Sequence, residues 1–234
     1  MKTVLITGST GGIGQALAKV FSLNGYNVVA NYFSNEEKAK ELLKEINGII
    51  VKADVSKQAE VEQMFNLARE KYGRIDVLIN NSAIQSIGML CDQSNEDWQR
   101  VMDIDLTGAY NTVKCALADM MYSGGKIINI SSIWGQCGAS CEVAYSTAKA
   151  GLIGFTKALA KEYPNINTNC ICPGVIETKM NEHLTEELKE ELKKEIPMNR
   201  FGKPEEVAEL ALFLAEKGDY ILGQVIAING GMYI

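Results

Sequence analysis

Short, nearly continuous apolar runs alternate with helix-length amphipathic stretches from one end of the chain to the other. The runs Thr3–Thr7, Asn27–Tyr32, Ile49–Lys52, Val77–Asn80, Lys126–Ile130, Thr168–Cys172 and Val225–Ile228 predict strands. Between them, helical periodicity covers Ile13–Leu23, Asn35–Ile46, Gln58–Tyr72, Glu96–Met121, Val143–Glu162 and Pro204–Ala215. Strands apolar on both sides, each followed by a helix, predict an α/β fold: one doubly wound parallel sheet with helices on both faces. No repeat, linker or low-complexity tract divides the chain, so residues 1–234 read as one domain. One segment breaks the rhythm. A charged helical stretch, Thr185–Ile196, lies between Pro173 and Pro204, and is either a substrate lid at about 177–203 or a plain surface helix pair.

Composition then removes whole classes of function. A net charge of -6 with scattered acids argues against a nucleic-acid partner, which clustered Lys and Arg would serve. No run approaches the ~18 apolar residues of a membrane span, and Val4-Leu5-Ile6 is too short for a signal peptide, so the expected compartment is the cytoplasm. Cys91, Cys115, Cys137, Cys141, Cys170 and Cys172 lack a common metal spacing and read as thiols, with no metal expected. The single histidine, His183, sits in a charged helical segment, so acid–base chemistry must come from other groups.

Two constellations supply that chemistry. Thr7-Gly8-Ser9-Thr10-Gly11-Gly12-Ile13-Gly14 lies between the first strand and the first helix, which suits a dinucleotide pyrophosphate and makes the fold Rossmann-type. Glycine lets the backbone approach, and the helix start offers free N–H groups. The second constellation is Ser132, Tyr145 and Lys149. Tyr145 and Lys149 stand four apart and share a helix face. A phenol titrates near pH ~10, and a neighbouring ammonium favours phenolate. Ser132 can hydrogen-bond an oxygen that changes charge during hydride transfer. A Tyr-x3-Lys pair is commonly just helix surface; it gains meaning after a Ser-Ser strand end in a chain with a phosphate loop.

From Lys2 to the C-terminus the chain resembles the short-chain dehydrogenase/reductases. Thr7–Gly14 resembles their Thr-Gly-x3-Gly-x-Gly loop, Asp54-Val55 the pair that meets adenine, and Asn80-Asn81-Ser82-Ala83 their Asn-Asn-Ala-Gly. Ser132, Tyr145 and Lys149 fall at the catalytic spacing, and Pro173-Gly174-Val175-Ile176-Glu177-Thr178 resembles the segment that holds the nicotinamide. The resemblance therefore implies cofactor contacts at Gly8, Ser9, Thr10, Gly11, Gly12, Ile13, Gly14, Asp54, Val55, Asn81, Tyr145, Lys149, Pro173, Gly174, Ile176 and Thr178. One departure touches the catalytic set. Asp105-Leu106-Thr107-Gly108 stands where the family has Asn-Leu-x-Gly, an asparagine thought to hold a proton-relaying water. Asp105 could still accept from that water, and it adds a negative charge; otherwise it is only a helix-kink residue.

The second strand ends without the acid that would select NAD, so NADP(H) is expected over NAD(H), with Asn31 and Ser34 as neutral donors and Lys38 as a cation nearby. The C-terminal half is most similar to bacterial 3-oxoacyl-[acyl-carrier-protein] reductases, through Gly151–Lys157, Pro173–Met180 and Ile228–Tyr233. That resemblance implies a ketone substrate on acyl carrier protein and a homotetramer. Yet Met121–Gly124 and Tyr163–Asn165, where such enzymes tend to dock the acidic carrier, lack cations. Ser132–Gly135 with Gly138–Val143 is similar to reductases of a 5-aminopentanone group on elongation factor P, whose amine would suit Glu142. Two further readings fit less well. A non-catalytic dinucleotide-sensing regulator typically loses the Tyr or the Lys, and a sugar-nucleotide epimerase needs a longer C-terminal part.

Overall fold

The computed structural model describes residues 1–178 and 185–234; His183 and part of the expected lid lie outside them. The chain runs β1 (Thr3–Ile6), α1 (Gly12–Leu23), β2 (Asn27–Tyr32), α2 (Glu36–Leu43), β3 (Gly48–Lys52), α3 (Gln58–Tyr72) and β4 (Val77–Asn80). It continues through α4 (Asn95–Met102), a π turn (Asp103–Thr107), α5 (Gly108–Met120), β5 (Gly125–Ile130), α6 (Ile133–Cys137) and α7 (Val143–Glu162). The last elements are β6 (Ile166–Pro173), α8 (Glu186–Glu195), α9 (Pro204–Lys217) and β7 (Val225–Ile228). The strands form one parallel sheet in the order β3-β2-β1-β4-β5-β6-β7.

Alternation along each strand feeds two apolar layers. Val4, Ile6, Val28, Ile79 and Ile128 face one side, where they meet Leu17 and Phe21 of α1 and Val207, Ala211 and Leu214 of α9. Leu5, Val29, Leu78 and Ile127 face the other, against Met64 and Phe65 of α3, Val113, Ala116 and Met120 of α5, and Leu159 of α7. A strand needed on both faces must be apolar at consecutive positions, which is why these runs do not alternate with polar residues. Fully burying one such Leu, Ile or Phe stabilises by about 1.5–3 kcal/mol.

The sheet order reverses direction between β1 and β4, so the loops leaving their C-terminal ends diverge and open a crevice there. Three local differences from the sequence expectation bear on that crevice. The single helix expected over Glu96–Met121 is broken by the π turn, next to Gly108, where a Cβ would meet Val55 Cγ2 at 2.7 Å. The short α6, unpredicted because five residues show no period, is capped by Ser132. α2 stops at Leu43 rather than reaching Ile46. Among the described residues no helix is long and apolar enough to cross a membrane.

Candidate active site

A cleft of about 780 Å³ runs along the C-terminal ends of β1, β2, β4, β5 and β6. Its floor is the glycine loop. Gly8 takes a φ of +64°, and its N–H donates to Asn31 Oδ1 at 3.3 Å. α1 starts from Gly11 with no side-chain cap, so its first N–H groups, from Gly12 to Gly14, open onto the cleft with the positive end of the helix dipole. A Cβ on Gly14 would overlap the Gly8 carbonyl oxygen, and one on Gly12 would lie 2.7 Å from Thr178 Cγ2. Side chains brace the loop from below. Asn81 Nδ2 donates to the carbonyls of Thr7 and Gly8, and Thr7 Oγ1 accepts from the N–H groups of Asn81 and Ser82. Ser9 departs from expectation: its hydroxyl donates to the Ile6 carbonyl at 2.8 Å, and it is not part of the cleft wall.

At the far end stand Asn31, Phe33, Ser34, Asn35, Lys38, Asp54 and Val55. Asn31 corrects the sequence reading. It is 1% exposed, its oxygen is taken by Gly8, and its amide donates to the carbonyls of Tyr32, Val51 and Ala53 at 3.0–3.3 Å. A donor fully committed to backbone organises the wall and leaves nothing for a ligand. Asn35 caps α2 by accepting from the Lys38 N–H. Asp54 Oδ1 accepts from the Ser56 N–H and hydroxyl. Ser34 and Lys38 also line this wall, and the end of β2 carries no carboxylate.

At the opposite end, three segments bring five polar groups together. Ser131 and Ser132 follow the end of β5, α7 presents Tyr145 and Lys149 from one face, and the π turn aims Asp105 inward. Ser131 Oγ donates to the Lys149 carbonyl at 2.8 Å and ties α7 to β5. Lys149 Nζ donates to the Ile130 carbonyl at 3.1 Å and lies 5.4 Å from the Tyr145 ring centre. Asp105 Oδ1 accepts from the Ile84 N–H at 2.9 Å; its Oδ2 is 3.6 Å from Lys149 Nζ. Ser132 Oγ accepts from the Trp134 N–H, which leaves its own proton free to donate. The Ile130 carbonyl that anchors Lys149 leaves no trace in the sequence, because a backbone group has no residue signature.

Burial governs the electrostatics here. It pushes the Asp105 carboxyl up to about 6, against the pull of Lys149 and the Ile84 N–H. The Tyr145 phenol is also raised, first by burial and then by the charge of Asp105, with the Ser132 hydrogen bond working the other way. The net direction is thus opposite to the one that Lys149 alone would give, because burial and Asp105 outweigh it. Burial therefore favours the protonated form of Tyr145.

Beyond this group the wall is formed by Ile84, Gln85, Ile87, Ile133, Trp134 and Glu142, with Leu192 of α8 reaching in. Gln85 Nε2 donates to Glu142 Oε2 at 3.4 Å, and the Gly88 N–H to the Cys141 carbonyl at 2.8 Å.

Residues 8–233 match the family model described as Enoyl-(Acyl carrier protein) reductase. The 3-oxoacyl-[acyl-carrier-protein] reductase FabG of Thermotoga maritima is 40% identical over 242 residues, covering 100% of this chain and 98% of its own. That of Chlamydia trachomatis is 41% identical, covering 99% and 97%. The chain belongs to the short-chain dehydrogenase/reductase family. Glucose 1-dehydrogenase 2 of Bacillus subtilis is as similar, at 41% identity over 99% of this chain and 94% of its own. As a short-chain dehydrogenase/reductase the protein is an oxidoreductase acting on CH–OH and C=O groups, with a nicotinamide dinucleotide as cofactor. The cleft fits that group: an uncapped helix start for the pyrophosphate, and glycines where any Cβ would collide.

Proposed function

We propose that this enzyme uses NADPH to reduce the ketone of a 3-oxoacyl thioester, carried on acyl carrier protein, to a secondary alcohol in the cytoplasm. Identity alone does not decide the substrate, since a sugar dehydrogenase matches as well as the acyl reductases. The observation that carries the reading is the wall beyond Ser132 and Tyr145. Ile84, Ile87, Ile133 and Trp134 give it a mainly apolar surface that suits an acyl chain, and its polar side chains Gln85 and Glu142 are paired with each other.

Bound NADPH supplies the hydride. Tyr145 then gives its proton to the developing alkoxide, Ser132 donates to the same oxygen, and Lys149 keeps its ammonium beneath the phenol through the Ile130 carbonyl. Gly12, Ile13 and Gly14 would hold the pyrophosphate with the free N–H groups of the α1 start. Pro173, Gly174, Ile176 and Thr178, which line the cleft near Tyr145, would wall the nicotinamide side, and Asp54 and Val55 at the far end the adenine side. Preference for NADPH rests on the carboxylate-free end of β2, with Ser34 and Lys38 beside it. α8 buries none of its residues yet sends Leu192 to the cleft, as a lid does. Purified enzyme should reduce acetoacetyl thioester faster with NADPH than with NADH. Faster turnover with NADH at equal concentration refutes the cofactor assignment, and glucose oxidation without acetoacetyl reduction refutes the acyl substrate.

A second reading, the 5-aminopentanone group on elongation factor P, is favoured by one observation: Glu142 places a carboxylate on the substrate wall beside Gln85. On that reading Glu142→Gln raises KM for the modified factor. An ion pair worth ~0.2–1 kcal/mol makes this about a 1.4-fold to fivefold effect, relative to acetoacetyl thioester. Equal loss on both substrates removes the reason to favour an amine.

The homotetramer is part of the proposal. β7 ends the sheet with Val225, Ile226 and Ile228 only partly buried, while Tyr110 of α5 and Val143 of α7 are exposed apolar residues. Sedimentation should show a tetramer at micromolar concentration; a stable monomer contradicts it.

A further inference from the structure

We infer that Asp105 is a charge counterweight to Lys149, a positioning residue that governs when Tyr145 releases its proton and so sets the upper pH range of the reaction. The inference rests on Tyr145 being the proton donor. The π turn carries Asp105 into the core, where its side chain is 0% exposed and that of Lys149 is 2% exposed. One carboxyl oxygen is clamped by the Ile84 N–H; the other has no hydrogen-bond partner and faces Lys149 Nζ at 3.6 Å. The ammonium is therefore near both groups, 5.4 Å from the Tyr145 ring centre and 3.6 Å from this carboxylate. Left unopposed in so dry a place, it would favour phenolate strongly; a carboxylate at this distance offsets most of that field. An asparagine would keep the Ile84 bond and supply no charge.

Other groups are placed too poorly to take this role. On the same turn Asp103 accepts from Gln99 on the surface. Arg100 and Asp97 of α4 are exposed, and Lys114 of α5 is exposed over the Tyr110 ring. Around Tyr145, Ser132 hydrogen-bonds the phenol, whereas Glu142 and Cys172 act more weakly than Asp105; Cys137 of α6 is exposed. Because the Asp105 carboxyl sits at about 6, the counterweight acts above that pH and is absent below it.

Asp105→Asn preserves size and the acceptor for Ile84. Parent and variant are compared in NADP-dependent oxidation of a 3-hydroxyacyl thioester across pH. The two profiles should run parallel below about pH 6 and separate above it, the variant reaching its plateau about one pH unit lower. Parallel profiles throughout overturn the inference. A second readout needs no cofactor. The folded protein binds the Asp105 proton more tightly than the unfolded chain, so this contribution to stability is full at low pH and lost as pH rises through about 6. Urea unfolding should show that loss in the parent and not in the variant; an identical loss in both overturns the inference. If Asp105→Asn does not fold, Asp105→Ser removes the same charge and is measured in its place. Full activity in Tyr145→Phe would instead sink the donor reading itself, whereas an inactive Tyr145→Phe with parallel Asp105→Asn profiles sinks the counterweight alone.

Discussion

Tyr145→Phe should lower turnover at least ~10²-fold while NADPH binding survives. The substitution removes one oxygen from a ring that is 7% exposed, so packing on α7 and the seat of Lys149 on the Ile130 carbonyl stay in place. What disappears is the proton that the ketone oxygen must receive. A hundredfold loss corresponds to about 2.7 kcal/mol of lost transition-state stabilisation. The raised phenol sharpens the expectation. A group that keeps its proton across the working pH range is a loaded donor for reduction, and a poor base for the reverse reaction until the pH is high. Stopped-flow turnover and fluorescence titration of NADPH separate the two quantities, and near-normal turnover would remove Tyr145 from its role.

The second large effect is expected from Gly14→Ala. Helix propensity alone favours this change by about 1 kcal/mol, so an ordinary helical glycine would gain stability. Here the sign reverses. The new methyl would run into the Gly8 carbonyl oxygen, with Ser9 Cα at 2.8 Å and Asn81 Nδ2 at 3.0 Å. None of these can withdraw. Gly8 is fixed in its left-handed conformation, and Asn81 is already bonded to the Thr7 and Gly8 carbonyls. The loop must therefore open or α1 must shift, and either movement spoils the N–H array. A fall in Tm and at least a ~10²-fold weaker Kd for NADPH are expected, since several charge-assisted hydrogen bonds are lost together. Unchanged binding with a raised Tm would mean that Gly14 is only a helix residue.

Much of the fold and of the site is legible in the amino-acid sequence. The strands β2, β4 and β7 and the helices α3 and α7 begin and end where the apolar pattern places them, or within a residue or two. Their two-sided burial leaves a strong mark on the sequence. The glycine loop and the Ser132–Tyr145–Lys149 spacing are legible because each needs particular residue types at fixed intervals. Three things are not. Asn31 looks like a ligand donor at a strand end, and only the carbonyls that converge on it from β3 and its flanks show that it is spent on the fold. The π turn leaves no periodic trace, since the apolar pattern on either side reads as one helix. The direction of the Tyr145 shift depends on depth and on a carboxylate far away in the chain, Asp105, and neither is a local property of the motif.

The π turn has one more implication. Over its rise it holds one residue more than an α-helix needs, and that excess lets α4 and α5 keep their buried faces on either side of it. Loss of a single residue within Asp103–Thr107 would therefore heal the helix rather than scramble it. Val101 on one side and Val113, Ala116 and Met120 on the other would stay in phase with their partners, while the inward carboxyl withdrew from Lys149. At this one place, architecture and proton chemistry are separable by the smallest possible deletion.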